Sequence, residues 1–261
     1  MSIWVQVLLF AIPGIIIYYG VFYGTPKLVR KGIPLIYSFW FWLWTPVLLL
    51  LPLSIGLYLV FEGGALTIET ISERFRLNPI SKNDWLWIGL AVILTIVFDQ
   101  ILEPIGKVLA KYKLFSPPSY LPAPFNPLKK INIPPKEFFG VPLKGNWKLL
   151  MVFIPIHLIA MFSEEMMWRG YLLPIQEIML GNMAWVFNGL LWAWVLHIAL
   201  KWHVVGMIPS MLVAPLIAQY TQSTWASFAV HAIGNAPLWI ILLIGIIKTK
   251  ETSDEKQQLN S

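Results

Sequence analysis

The chain has 261 residues, of which 57% are hydrophobic and 12% charged, with a net charge of +6 and no cysteine. Its mean hydropathy of +0.69 and a charged fraction about half the roughly 25% of a soluble domain exclude an ordinary water-soluble fold. The absence of cysteine excludes disulfides, thiolate metal sites and a cysteine nucleophile.

Residues 1–26, 35–61, 178–200 and 202–247 carry no Asp, Glu, Lys or Arg. A membrane-crossing helix needs about 20 mostly apolar residues for a hydrocarbon core of roughly 30 Å. The sequence therefore predicts an all-α, polytopic transmembrane helix bundle of about seven spans, near 3–23, 35–61, 85–106, 148–167, 183–201, 204–221 and 225–247. The opening stretch "MSIWVQVLLF" lacks a basic n-region and a small-residue cleavage site, and it reads as a retained first helix. Prolines fall inside several of these spans, at Pro13, Pro46, Pro52, Pro155, Pro209 and Pro215. Membrane helices tolerate them where neighbours satisfy the freed carbonyls.

Alternating seven spans puts 15 of the 19 Lys and Arg on one side: three at 24–34, eight at 107–148, Lys201, and three after residue 247. Only Arg74, Arg76 and Lys82 face the other side, and Arg169 stays within the membrane. The bias predicts an integral membrane protein, in the cell membrane, with its N-terminus outside and its C-terminus cytoplasmic. It also accounts for the net charge through anionic lipid, so the lipid bilayer is the expected partner and nucleic acid is not. The segment between spans 3 and 4 has eight prolines between 117 and 142, which forbids regular helix. It reads by default as a proline-rich spacer, with its interleaved Tyr, Phe and Leu able alternatively to line the membrane surface or gate a cavity. The end, "KETSDEKQQLNS", reads as a polar tail.

The anomaly is "FSEEMMWRGYLLP" at 162–174. Each charge near the centre of a spanning helix costs about 2.5–3.5 kcal/mol, and Glu164, Glu165 and Arg169 lie within six positions. On an α-helix Glu165 and Arg169 are about 40° apart and can pair, whereas Glu164 lies about 140° from Arg169 and points elsewhere. His197 stands in the next span. His231 and Asn235 share one face of the last, beside Ala229, Ala232, Gly234 and Ala236, small residues that permit close helix approach. A carboxylate, two imidazoles and an amide on three helices can form a polar pocket offering a general base, ligands and oxyanion donors. His157 reads as structural and His203 as interfacial. Asp99, Glu103 and Lys107 read as an ion-paired helix end before Pro104, with a carboxylate at a cavity mouth as the sharper alternative.

"EEMMWR" and "HAIGN" resemble the EExxxR and HxxxN motifs of the CAAX-protease and bacteriocin-processing (CPBP) membrane endopeptidases, a family that includes CAAX prenyl proteases and bacterial abortive-infection proteins. The resemblance covers about 144–240 and reaches more loosely back to about 70 through "ISERFRLNPISKNDWLWIG". The FxxxH motif departs from the pattern: Ala193–His197 keeps the histidine, and Trp192 or Trp194 is available to fill the space of the phenylalanine. The resemblance implies an N-terminal helical region with the proline-rich loop at 1–143, a catalytic core at 144–247 and a polar cytoplasmic tail at 248–261. It implies an intramembrane endopeptidase acting on a membrane-associated or prenylated peptide or protein substrate. Glu164 would be the catalytic carboxylate, Glu165 its companion and Arg169 the ion-pair support. His197 would help activate water, with His231 and Asn235 on the oxyanion side. Whether a metal takes part stays open; a Glu164, His197, His231 set would suit zinc, although no HExxH is present. Alternatives to an enzyme are a non-catalytic membrane scaffold or immunity protein of the same fold, and a small transporter.

Overall fold

A computed structural model describes residues 1–248, so the polar tail expected after residue 247 falls outside it from residue 249 on. The described residues form helices α1 (Ile3–Arg30), α2 (Leu35–Phe61), α3 (Ile68–Arg74), α4 (Lys82–Leu109), α5 (147–180), α6 (184–203), α7 (Ile208–Thr221) and α8 (Thr224–Lys248). Strands β1 (Glu137–Phe138) and β2 (Val141–Pro142) make a small antiparallel hairpin. Among the described residues five stretches are long and apolar enough to cross a membrane: Ile3–Arg30, Leu35–Phe61, Lys82–Leu109, Trp147–Leu196 and Thr224–Lys248. The expected fourth span and most of the fifth fall within Trp147–Leu196, which breaks at Gly181 (φ +54°), and the expected sixth, Ile208–Thr221, is shorter. The chain is an integral membrane protein, with lipid around outward side chains such as Ile93, Leu94, Val97 and Phe98 on α4.

At the centre stand α5, α7 and α8, with α6 against α7; α4 covers α7 and α8, α1 lies along residues 196–203, and α2 packs on α5. Two glycines let helices approach backbone to backbone. A Cβ at Gly14 would lie 2.3 Å from the carbonyl of Val195, and one at Gly189 would lie 2.7 Å from that of Met211. They bring α1 onto α6 and α6 onto α7, as small residues do where helices must touch in lipid. Gly234 does not serve this purpose: nothing lies within 4 Å of its Cβ position, and it borders a cavity instead.

The proline-rich segment is not a loose spacer. Leu121, Phe138, Phe139 and Leu143 are buried in the main core, and the Tyr120 hydroxyl donates to the carbonyl of Val21. Phe139 stacks on Phe39 with ring centroids 4.6 Å apart, and Phe138 meets Phe153 edge-on at 5.5 Å. Apolar side chains thus anchor a segment that the prolines keep from forming helix.

The course of α5 removes a difficulty of the sequence reading, which ended this span near 167 and left Glu164 in the far half of the membrane. The helix continues to residue 180, about 50 Å at 1.5 Å per residue, so Glu164 sits at its middle. It passes Pro174 by widening: residues 166–172 form a π-helical segment, a form that recurs at functional sites. Pro174 has no N–H for the carbonyl four residues back, which belongs to Gly170. Arg74 supplies donors there, Nη1 to Gly170 O at 3.2 Å and Nη2 to Tyr171 O at 3.3 Å, while a bidentate pair at 2.7 Å ties it to Glu62. Arg76 grips Glu177 in the same way, at 2.6 and 2.8 Å.

Arg74→Ala should therefore lower thermal stability in detergent by ~1–2 kcal/mol, the range for partly exposed charge-assisted hydrogen bonds. The hydrogen bond from Arg74 holds the Glu62 carboxyl below its ordinary range, against a smaller opposing effect of partial burial. The stabilisation is thus complete above the ordinary carboxylate pKa and lost as pH falls through the depressed one. The gap between the melting curves of Arg74→Ala and the parent should narrow in acid, and a gap that stays constant as pH falls would refute the assignment.

Candidate active site

Every polar residue singled out in the charged motif and the two later spans comes to one place at mid-bundle. Glu165 is fully buried and accepts three contacts. Arg169 Nη1 lies 3.3 Å from Oε1, His231 Nδ1 lies 2.9 Å from the same oxygen, and the Ser227 hydroxyl donates to Oε2. The expected i,i+4 pair is present, with a second helix completing it. Ser227 escaped the sequence reading, although it lies one turn before His231 on the same face of α8, a spacing that could have drawn attention to it.

Trp192 organises the rest. Its indole Nε1 donates to Glu164 Oε2 at 2.7 Å, and its ring lies under the Arg169 guanidinium, 3.7 Å from Cζ to centroid. It also meets His231 edge-on at 4.9 Å, and its carbonyl receives His197 Nδ1 at 2.9 Å. Of the two tryptophans offered as substitutes for the motif phenylalanine, Trp192 is the buried one. Trp194 is 44% exposed and donates to the carbonyl of Val204. Arg169 is fully buried, and none of its side-chain nitrogens has a well-aligned hydrogen-bond acceptor among the described residues. The carboxylate of Glu165 and the π face of Trp192 are what hold its charge.

These contacts fix the imidazole tautomers. A carbonyl only accepts, so His197 carries its proton on Nδ1; a carboxylate likewise takes the Nδ1–H of His231. In each neutral ring Nε2 is then the basic nitrogen left for other chemistry. The polypeptide departs from helical geometry at His197 (φ −89°, ψ 22°), which turns this residue out of the regular register of α6. Asn235 donates Nδ2 to the carbonyl of His231 at 3.0 Å. His157 accepts from Trp239 Nε1 at 3.1 Å and packs edge-on against Phe153, in keeping with the structural reading.

Glu164, His157, His197, His231 and Asn235 line a cavity of about 220 Å³. Its other walls are mostly apolar: Ile17 and Val21 from α1, Phe39, Trp40, Leu43, Trp44 and Val47 from α2, and Phe125 from the proline-rich segment. Phe125 thus brings the proline-rich segment into the cavity wall. The imidazoles of Glu164's neighbours have the chemistry of metal ligands, but among the described residues no three His, Asp or Glu side chains gather into a group that could hold a metal ion. The Nδ1 bonds of His231 and His197 leave each Nε2 free and Trp192 takes only Oε2 of Glu164, but these groups do not come together closely enough here to form a metal site.

Residues 146–237 match the family model described as type II CAAX prenyl endopeptidase Rce1-like. No curated protein and no solved structure matches the chain. The matched segment runs from the start of α5 into α8 and contains the polar site residues from Glu164 to Asn235. Over that segment the chain is similar to CAAX proteases.

Proposed function

We propose that this CAAX-protease-type membrane protein is an intramembrane endopeptidase that cleaves a membrane-associated peptide by water activated at Glu164. The observation that carries the reading is a carboxylate held by one indole N–H at mid-bundle, facing a largely apolar chamber shared with two oriented imidazoles. Glu164, with His197 in the wall of the same chamber, takes a proton as the water oxygen attacks the scissile carbonyl. Asn235, through its second Nδ2 hydrogen, and His231, once protonated at Nε2 beside the Glu165 carboxylate, supply donors for the oxyanion of the tetrahedral intermediate. Collapse breaks the C–N bond, and the proton held at Glu164 passes to the departing amine, so one water is consumed and two peptide ends are released.

Glu165 and Arg169 are support in this scheme. They orient His231 and balance charge, and their burial keeps them from the chamber. The apolar walls suit a substrate carrying a lipid-like group, prenyl or other, next to its cleavage site. The catalytic core would be 144–247, with 1–143 supplying the chamber's apolar side. The charge bias would set the N-terminus outside, the C-terminus in the cytoplasm and the chain in the cell membrane.

The test uses purified protein in lipid nanodiscs, a library of membrane-anchored peptides, prenylated and not, and mass spectrometry of the products. Trp192→Phe keeps a ring beneath Arg169 and removes the donor to Glu164. A charge-assisted hydrogen bond is worth ~1.5–3 kcal/mol, so cleavage should slow by about 10- to 100-fold with little change in melting temperature. A parent that cuts nothing would refute the reading, and a full-speed Trp192→Phe would refute the role given to Trp192.

A further inference from the structure

Hydrolysis consumes a water in every turnover, yet the apolar walls of the chamber on α1 and α2 are poor at admitting one. Two more cavities lie on the opposite side. The first, about 250 Å³, shares Met211, His231 and Asn235 with the chamber and is lined further by Thr95, Asp99 and Ser210. The second, about 270 Å³, shares Asp99 and Ser210 with the first and adds Gln100, Glu103 and His203. The three spaces form a series from the chamber to the C-terminal end of α4, where the side chain of Glu103 is 45% exposed and pairs with Lys107.

The middle cavity has the chemistry that holds water. Thr95 Oγ1 and Asp99 Oδ1 are buried atoms without a hydrogen-bond partner among the described residues, on a helix whose outward face is apolar and exposed. Thr95, Asp99 and Glu103 recur every four residues, one polar stripe along α4. Gly234 leaves room on the α8 side, since a Cβ there would meet nothing. A space of this volume fits several waters at about 30 Å³ each, and each water needs two to four polar partners, which Thr95, Asp99, Ser210 and Asn235 provide.

We propose that the Thr95–Asp99–Ser210 cavity is a water conduit, which supplies hydrolytic water past His231 and Asn235 from the side opposite the apolar substrate walls. Asp99 is its positioning residue, joining the outer pocket to the inner cavity. The inference rests on the endopeptidase reading, but its first test does not depend on activity. The chain has no native cysteine, so Thr95→Cys and Ser210→Cys each create a single thiol, with Ile93→Cys on the lipid-exposed face of α4 as reference.

A charged, water-soluble methanethiosulfonate reacts with hydrated thiolate, so both conduit thiols should be modified at least about tenfold faster than the reference. Adding Asp99→Leu, which replaces the polar junction by an apolar one, should slow that labelling by about tenfold. In the otherwise unaltered protein Asp99→Leu should lower kcat by about tenfold with KM unchanged, because water supply affects turnover and not substrate binding. Conduit thiols no more reactive than Ile93→Cys, or an unchanged kcat in Asp99→Leu, would overturn the conduit. A parent without peptidase activity would instead remove the endopeptidase reading, and the labelling pattern alone would then decide whether the path is wet.

Discussion

Glu164→Gln is expected to lower peptide cleavage by ~10²–10⁴-fold, the contribution of a positioned general base, while leaving the fold intact. The substitution is nearly isosteric, and the amide oxygen of glutamine still accepts the Trp192 Nε1–H that reaches Glu164 Oε2 at 2.7 Å. What it removes is the ability to take a proton from water. Stability should therefore change by no more than ~1 kcal/mol, the net worth of an ordinary hydrogen bond. Glu165→Gln gives the contrast. That carboxylate is fully buried against Arg169, His231 and Ser227, and neutralising it takes away the guanidinium's direct ion-pair partner, leaving Glu164 as the weaker counter-charge. Glu165→Gln should lose activity together with folded protein, and Glu164→Gln activity alone. Rates from purified protein, paired with thermal melts of the same preparations, separate the two. A Glu164→Gln variant that retains full activity would move the base elsewhere in the chamber.

How the two carboxylates divide was partly legible in the sequence. Helical arithmetic paired Glu165 with Arg169 because i,i+4 residues share a face whatever surrounds them. The same arithmetic turned Glu164 about 140° from Arg169, and that much was incomplete. The helix widens at residues 166–172, and a single indole reaches both groups, donating to Glu164 and lying beneath Arg169. A period of 3.6 contains no sign of such a widening, and a tryptophan 28 positions away in sequence gives no hint of which ring sits where.

The span expected to end near 167 runs on past Pro174, where Arg74, nearly a hundred residues earlier, donates to the carbonyl the proline leaves free. The proline-rich segment was misread as a spacer for a related reason. Local backbone restriction was visible, but the burial of Leu121, Phe138 and Phe139 depends on partners from α2 and α5. Asp99 and Glu103 stood with an ion-paired helix end and a cavity mouth as alternatives. Glu103 takes the pairing with Lys107, and Asp99 faces the cavities.

Arg169→Met should be the most destabilising single change in the site. Both Arg169 and Glu165 are fully buried, and removing one member of a buried ion pair typically costs ~3–5 kcal/mol because the other charge is left uncompensated. Ser227 and His231 would still donate to Glu165, which places the expectation toward the lower part of that range. Two supports of Arg169 can be told apart. If the ion pair dominates, adding Glu165→Gln to Arg169→Met should recover part of the loss, with a coupling of ~1–3 kcal/mol in a double-mutant cycle read from unfolding in detergent. If the stack on Trp192 at 3.7 Å dominates, the double variant should be no more stable than Arg169→Met. Arg169→Lys, which keeps charge but loses the flat guanidinium, should then fall nearly as far. The geometry favours the first outcome. A cation–π contact contributes roughly 0.5–2 kcal/mol, less than the penalty for an unpaired buried carboxylate, so the pair should decide stability and the stack should decide where the guanidinium lies.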